Sequence, residues 1–133
     1  MDIEGRHIII DAFYCNPSLL NDRFFLERLL IKAAAAANME ILYSYFHQFQ
    51  PYGVTGMLIL STSHLSIHTW PERAYASLDF YTCGTTDPIF QVEYLLEKLE
   101  SKKATVYPIE RGIEKTQTIF LKTYHYLKGE NEE

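Results

Sequence analysis

Residues 61–72, Ser61-Thr62-Ser63-His64-Leu65-Ser66-Ile67-His68-Thr69-Trp70-Pro71-Glu72, lie between two apolar, strand-like segments, Val54 to Leu60 and Ala74 to Thr82. A hairpin that serves structure alone carries Gly, Asn or Asp at its turn. This one carries three serines, two histidines, a tryptophan and a carboxylate in twelve residues, and Cys83 follows the second segment. Reactive side chains set between regular strands predict a site built on a rigid sheet.

Working outward, Ala76, Leu78 and Phe80 alternate with Tyr75, Ser77, Asp79 and Tyr81, the period-two pattern of a strand with two unlike faces. Upstream, Pro51-Tyr52-Gly53 marks a turn and Ile41 to Phe49 another strand. His7 to Phe13, with Ile8-Ile9-Ile10, reads as a buried strand, and Asn16-Pro17-Ser18 as a turn. Asn21 or Asp22 caps a helix to about Ala37. Phe25, Leu26, Leu29, Leu30, Ala33, Ala34 and Ala37 share its inner face, and Asn38 is its stop. Asp87-Pro88 opens a second helix to about Ser101, with Phe90, Val92, Leu95, Leu96 and Leu99 inward, and Thr105 to Ile109 is the last strand. The pattern predicts an α+β fold: a two-layer α/β sandwich, an antiparallel sheet with two helices on one face. The other face then needs a cover.

The 133 residues predict one domain, and 47% hydrophobic content is enough to fill a core. Ten Tyr and eight Phe favour a sheet that packs on something. The net charge of −5, with no basic cluster, argues against nucleic acid. Nothing is long and apolar enough to span a membrane, because Lys32 breaks the apolar run from Leu29 to Ala37. Two cysteines without a Cys-x-x-Cys pair or a signal peptide predict reduced thiols and a cytoplasmic protein. His64, His68 and Cys83 do not make a zinc set, since His64 and His68 lie roughly 13 Å apart at strand rise. No metal site is expected. A Ser63, His68 and Asp79 hydrolase is equally disfavoured, because no nucleophile elbow surrounds the serine.

Ser63-His64-Leu65-Ser66-Ile67-His68-Thr69-Trp70-Pro71-Glu72 and Leu78-Asp79-Phe80-Tyr81-Thr82-Cys83-Gly84 resemble the short prokaryotic S-adenosylmethionine decarboxylases. Gly5-Arg6-His7, Phe46-His47 with Phe49, Pro51-Tyr52-Gly53-Val54 and Arg111-Gly112 extend the resemblance over residues 5–112. It implies one domain over 1–112, with 113–133 as a C-terminal tail. It implies a proenzyme that cuts itself at Thr62–Ser63 and turns Ser63 into a covalent pyruvoyl group, in place of pyridoxal phosphate, for which no Gly-rich loop is present. Ser63 Oγ attacks the Thr62 carbonyl to give an ester. β-Elimination then splits the chain, and the dehydroalanine hydrolyses to pyruvoyl and ammonia.

The same resemblance assigns His68 to removal of the α-proton during elimination, a task suited to imidazole. It assigns Cys83 to protonation of the decarboxylated carbon, and Thr55, where the family has serine, to stabilising the cyclic intermediate of self-cleavage. Glu72 is expected on the ribose hydroxyls of the substrate, with Trp70 beside it, and Phe49 and Leu65 at the adenine. Thr62 departs from the glutamate that precedes the serine in the family. The resemblance also implies a homodimer, sheets packing face to face with active sites at or near the interface. The substrate would be S-adenosylmethionine and the product the aminopropyl donor for spermidine. Two other readings stand beside this one: the same pyruvoyl chemistry on arginine or ornithine, and an unprocessed binding or regulatory homologue.

Overall fold

The computed structural model describes residues 3–84 and 87–114. Six strands form one antiparallel sheet: β1 (Gly5–Phe13), β2 (Ile41–Gln48), β3 (Val54–Leu60), β4 (His64–Trp70), β5 (Tyr75–Cys83) and β6 (Lys103–Arg111). Their spatial order is β2-β3-β4-β5-β1-β6, so the first strand is inserted between the fifth and the sixth. Three helices accompany them: α1 (Pro17–Leu20), α2 (Arg23–Ala36) and α3 (Ile89–Lys98).

Alternation along the strands sorts the sheet into two faces. Ile8, Ile10 and Ala12 of β1, Val54, Leu58 and Leu60 of β3, Leu65 and Ile67 of β4, and Ala76, Leu78 and Phe80 of β5 are buried in one apolar cluster. Leu26, Leu29, Leu30, Ala33 and Ala34 of α2 and Val92 and Leu95 of α3 belong to the same cluster. The helices therefore cover one face, and the expected α+β sandwich is the fold. The alanines of α2 let its backbone lie close to the sheet, as their placement in the core shows.

Local chemistry sets the boundaries. The Asp22 side chain accepts from the Phe25 amide (3.0 Å) and starts α2. Asn38, in a left-handed conformation (φ 58°), follows its end. Asn16-Pro17-Ser18, read as a turn, is instead the start of the single-turn α1: Asn16 Oδ1 accepts from the Ser18 amide (2.9 Å) and Pro17 occupies the first turn. The Thr69 hydroxyl joins the layers, accepting from the Val54 amide (2.9 Å) and donating to the Leu20 carbonyl (2.7 Å).

Helix α3 corrects one expectation. Phe90 does not point inward but is 75% exposed, because the helix starts only at Ile89 and its inner stripe is set by Val92, Leu95 and Leu99. Leu96 packs at the edge of the core. The tail expected over 113–133 lies, beyond residue 114, outside the described residues.

Candidate active site

The face of the sheet away from the helices carries the side chains with chemistry. Register places them in rows across the strands. One row runs Ser66, Asp79, Ile9, Tyr107; the next runs His64, Tyr81, His7, Ile109; a third runs Thr55, His68, Ser77, Asp11. Met57, Ile59, Trp70, Tyr107 and Ile109 stand exposed among them.

At the β3–β4 turn the Leu60 amide donates to the Ser63 carbonyl (3.0 Å) and the Ser61 amide to the Glu40 carbonyl (3.0 Å). This turn meets the end of β5. The Cys83 amide donates to Ser63 Oγ (3.2 Å), and the Cys83 thiol donates to the Thr62 carbonyl (3.3 Å). Thr62, Ser63 and Cys83 line a cavity of about 330 Å³ together with Ala37 to Glu40 and Leu60 to Ser61. A thiol aimed at a peptide carbonyl, with a serine hydroxyl on the adjoining residue, is an arrangement that can polarise that carbonyl toward attack.

Thr55 and His68 form a second group. They are cross-strand partners, and Thr55 Oγ1 lies 3.0 Å from His68 Nδ1. His68 borders a cavity with Ile9, Ser66, Ser77, Leu78 and Asp79. His64 to His68 is roughly 13 Å at strand rise, and Ser63 lies one residue further out. A serine and an imidazole cannot close that gap, so Ser63 and His68 of one chain belong to separate groups.

The four residues expected at the substrate are dispersed. Trp70 borders a cavity of about 340 Å³ with Phe13, Arg73 and Tyr75. Glu72, in the 3₁₀ turn Pro71–Arg73, borders another of about 370 Å³ with Pro17, Ser18, Asn21, Tyr52 and Pro71. Phe49 is half exposed and packs edge-on against His47, with ring centroids 4.6 Å apart. Leu65 is 0% exposed, and its side chain sits in the core on the helix side of β4. Strand parity turns its side chain away from the open face.

Sequence reasoning left His7 and Asp11 without roles and did not foresee their partners. Asp11 accepts from the Tyr75 hydroxyl (2.5 Å) and the Tyr107 hydroxyl (3.4 Å). Burial first, and then the Asp11 hydrogen bond, push the Tyr75 hydroxyl above its ordinary pKa. Asp79 is bonded to His7 Nε2 (2.6 Å), His64 Nε2 (3.2 Å) and the Ser66 hydroxyl. Burial raises the Asp79 pKa, but these three hydrogen bonds outweigh it, and the carboxyl titrates below its ordinary value.

His7, His64 and Asp79 bring three potential metal-ligand atoms within 4.8 Å of one another. Arg111 decides how they are used. Its NH1 lies 3.3 Å from His7 Nδ1, and a guanidinium only donates. His7 Nδ1 is therefore the acceptor and Nε2 carries the proton toward Asp79, which leaves that nitrogen bonded to the carboxylate and without a lone pair for an ion.

A family model described as S-adenosylmethionine decarboxylase matches residues 6–112. The chain is similar to the S-adenosylmethionine decarboxylase proenzyme of Pyrococcus furiosus, 44% identical over 124 residues that cover 92% of this chain and 89% of that one. It is 42% identical to the proenzyme of the same description from Clostridium tetani over 110 residues, covering 82% and 87% of the two chains. Its fold is similar to that in the crystal structure of the adenosylmethionine decarboxylase from Aquifex aeolicus, with a TM-score of 0.78, 33% identity, and coverage of 89% of this chain and 98% of that one.

Proposed function

The chain belongs to the S-adenosylmethionine decarboxylase family, and we propose that it decarboxylates S-adenosylmethionine on a pyruvoyl group made from its own Ser63. The observation that carries this reading is the meeting of Thr62, Ser63 and Cys83: the thiol hydrogen-bonds the carbonyl of the bond to be cut, beside the serine that cuts it. Ser63 Oγ adds to the Thr62 carbonyl carbon and the Thr62–Ser63 amide becomes an ester, the freed amine remaining on residue 63. Cys83 stabilises the negative charge that grows on the Thr62 oxygen during this addition. Loss of the Ser63 α-proton to a base then breaks the ester.

The residues at the turn fit the group that results. A pyruvoyl group at residue 63 would supply the electron sink for loss of CO2 from the substrate. Cys83, beside residue 63, is the proton donor for the carbon left behind. The base is His68, paired with Thr55. Because His68 of the same chain lies too far along β4 to touch Ser63, the reading requires His68 and Thr55 from a second chain, and with them a homodimer joined at the open face. The exposed Met57, Ile59, Trp70 and Ile109 on that face supply apolar area for the pairing.

Intact mass spectrometry tests the processing. Two chains of residues 1–62 and 63–133 are expected, the second blocked at its N-terminus and trapped by substrate plus borohydride. Ser63→Ala stays whole. An assay offering S-adenosylmethionine, arginine and ornithine side by side is expected to release CO2 from the first. An uncleaved wild-type chain after long incubation would sink the proposal, and release from arginine or ornithine alone would move the substrate.

A further inference from the structure

The cavity at the β3–β4 turn holds Ser63 and Cys83, and with them a carboxylate. Among the described residues that line it, only Glu40 carries a charged side chain; Thr62 and Ser63 add hydroxyls and Cys83 a thiol. Glu40 is exposed, and among the described residues no ion pair or hydrogen bond engages its side chain. A free carboxylate in a cavity without a cation sets a local field that favours a positive ligand.

The backbone fixes where that carboxylate stands. At the end of α2 the Ala37 amide donates to the Ala34 carbonyl (3.1 Å), Asn38 turns the chain in its left-handed conformation (φ 58°), and the Met39 amide donates back to the Ala34 carbonyl (3.1 Å). Met39 packs against the core. One residue on, the Glu40 carbonyl accepts from the Ser61 amide (3.0 Å). Glu40 is thus tied on one side to a helix end and on the other to the turn that carries the Thr62–Ser63 bond.

The substrate of the proposed reaction carries an ammonium and a sulfonium. The ammonium must reach residue 63, where the reaction takes place. The sulfonium lies a few bonds from the α-carbon and has no proton to lose, so it is a permanent charge in the same neighbourhood. We propose that Glu40 is a specificity-determining residue of this site: its carboxylate faces the sulfonium while the α-carbon lies beside residue 63 and Cys83. The identity of the cation rests on the proposed function; the placement of Glu40 as the charge of the cavity does not. A ligand with a neutral thioether in place of the sulfonium gains nothing from it.

The test uses the full-length Ser63→Ala chain, which cannot cleave and so binds ligands without turning them over. Calorimetric titrations compare S-adenosylmethionine with S-adenosylhomocysteine, which keeps the ammonium but has a neutral thioether. Each is run with Glu40 and with Glu40→Gln, an isosteric change that leaves the backbone bond to Ser61 in place. Because exposed charge pairs are screened, Glu40→Gln is expected to weaken S-adenosylmethionine about two- to fivefold and S-adenosylhomocysteine less than about 1.5-fold. The difference should shrink as salt rises from about 0.03 M to about 0.5 M. Thr62→Glu added to Glu40→Gln returns a carboxylate to the cavity and should recover part of the loss, which a structural defect would not do. In the processed enzyme Glu40→Gln should raise KM by the same factor, with kcat per cleaved chain changing less.

Equal losses for the two ligands, or none for S-adenosylmethionine, overturn the inference. Should the unprocessed chain bind neither ligand, KM for S-adenosylmethionine and inhibition by S-adenosylhomocysteine in the processed enzyme make the same comparison. The reaction and the inference fail separately. A wild-type chain that binds S-adenosylmethionine but releases no CO2 from it overturns the reaction and leaves the binding comparison standing. CO2 release with an unchanged KM in Glu40→Gln overturns the inference alone, and a chain that neither binds nor turns over S-adenosylmethionine overturns both.

Discussion

Asp79 receives hydrogen bonds from three side chains on two other strands, His7 from β1 and His64 and Ser66 from β4. A carboxylate with a depressed folded-state pKa stabilises the fold above the ordinary aspartate range, and that contribution is lost as pH falls through the lowered value. Asp79→Asn is therefore expected to lose about 1–3 kcal/mol at pH 7. In urea titrations the gap between wild type and variant should narrow once pH falls below about 4. A gap of the same size at pH 7 and at pH 3 would show that the charge on Asp79 does not matter. Thr62 calls for a different magnitude. A glutamate there would bring a negative charge toward the substrate ammonium, but the residue is exposed, where such pairs are screened. Thr62→Glu is expected to raise self-cleavage or S-adenosylmethionine turnover by only about two- to fivefold. Depressed turnover of S-adenosylmethionine in the variant would contradict this.

At the scale of elements, most of the sheet could be read from residue order. Val54–Leu60 has the expected bounds because Gly53 and the Ser61-Thr62-Ser63 turn punctuate a β-rich run. The parity of β5 followed from alternation alone. What escaped reading was short or non-local. Four residues are too few for a helical period, so α1 was invisible behind its cap, and Phe90 was misdirected because three apolar residues could be fitted to more than one stripe. The Asp79 network joins residues 72 positions apart, and no local pattern carries that pairing. Gly56 is a further case. It faces Phe46 across β2 and β3, and a Cβ would meet the Phe46 ring at 2.1 Å. Since Phe46 is buried, the ring has little room to move. Gly56→Ala is expected to destabilise by about 1–3 kcal/mol despite the entropic gain of replacing glycine. Adding Phe46→Leu should restore part of it. Urea midpoints of the three proteins check this, and an unchanged midpoint in Gly56→Ala would mean that the ring has another place to go.

At the scale of the molecule, the motif that identifies the family is continuous in sequence while the residues proposed to carry its chemistry are divided in space. The strand-rise arithmetic that keeps His64 and His68 from sharing a metal also keeps His68 from Ser63, a consequence legible in the sequence and drawn only once the strand was in place. The division makes a prediction that no single chain can satisfy. Ser63→Ala alone cannot cleave, for lack of the nucleophile. His68→Ala alone should stop at the ester, for lack of the base. If the base comes from the second chain, a mixed dimer of the two variants contains one site with an intact Ser63 facing an intact His68. Co-expression, with distinguishable tags, is expected to restore cleavage in the His68→Ala chain only, in at most the fraction of dimers that are mixed. Hydroxylamine added to His68→Ala alone should cut at residue 62, which establishes that the stalled species is the ester. Cleavage of the His68→Ala chain without its complement would remove His68 as the base. Failure of the mixed dimer to cleave, with mixed dimers demonstrated by tag capture, would mean that the base lies within the same chain, and the separation of the two groups along β4 would then need a movement of the β3–β4 turn to close it.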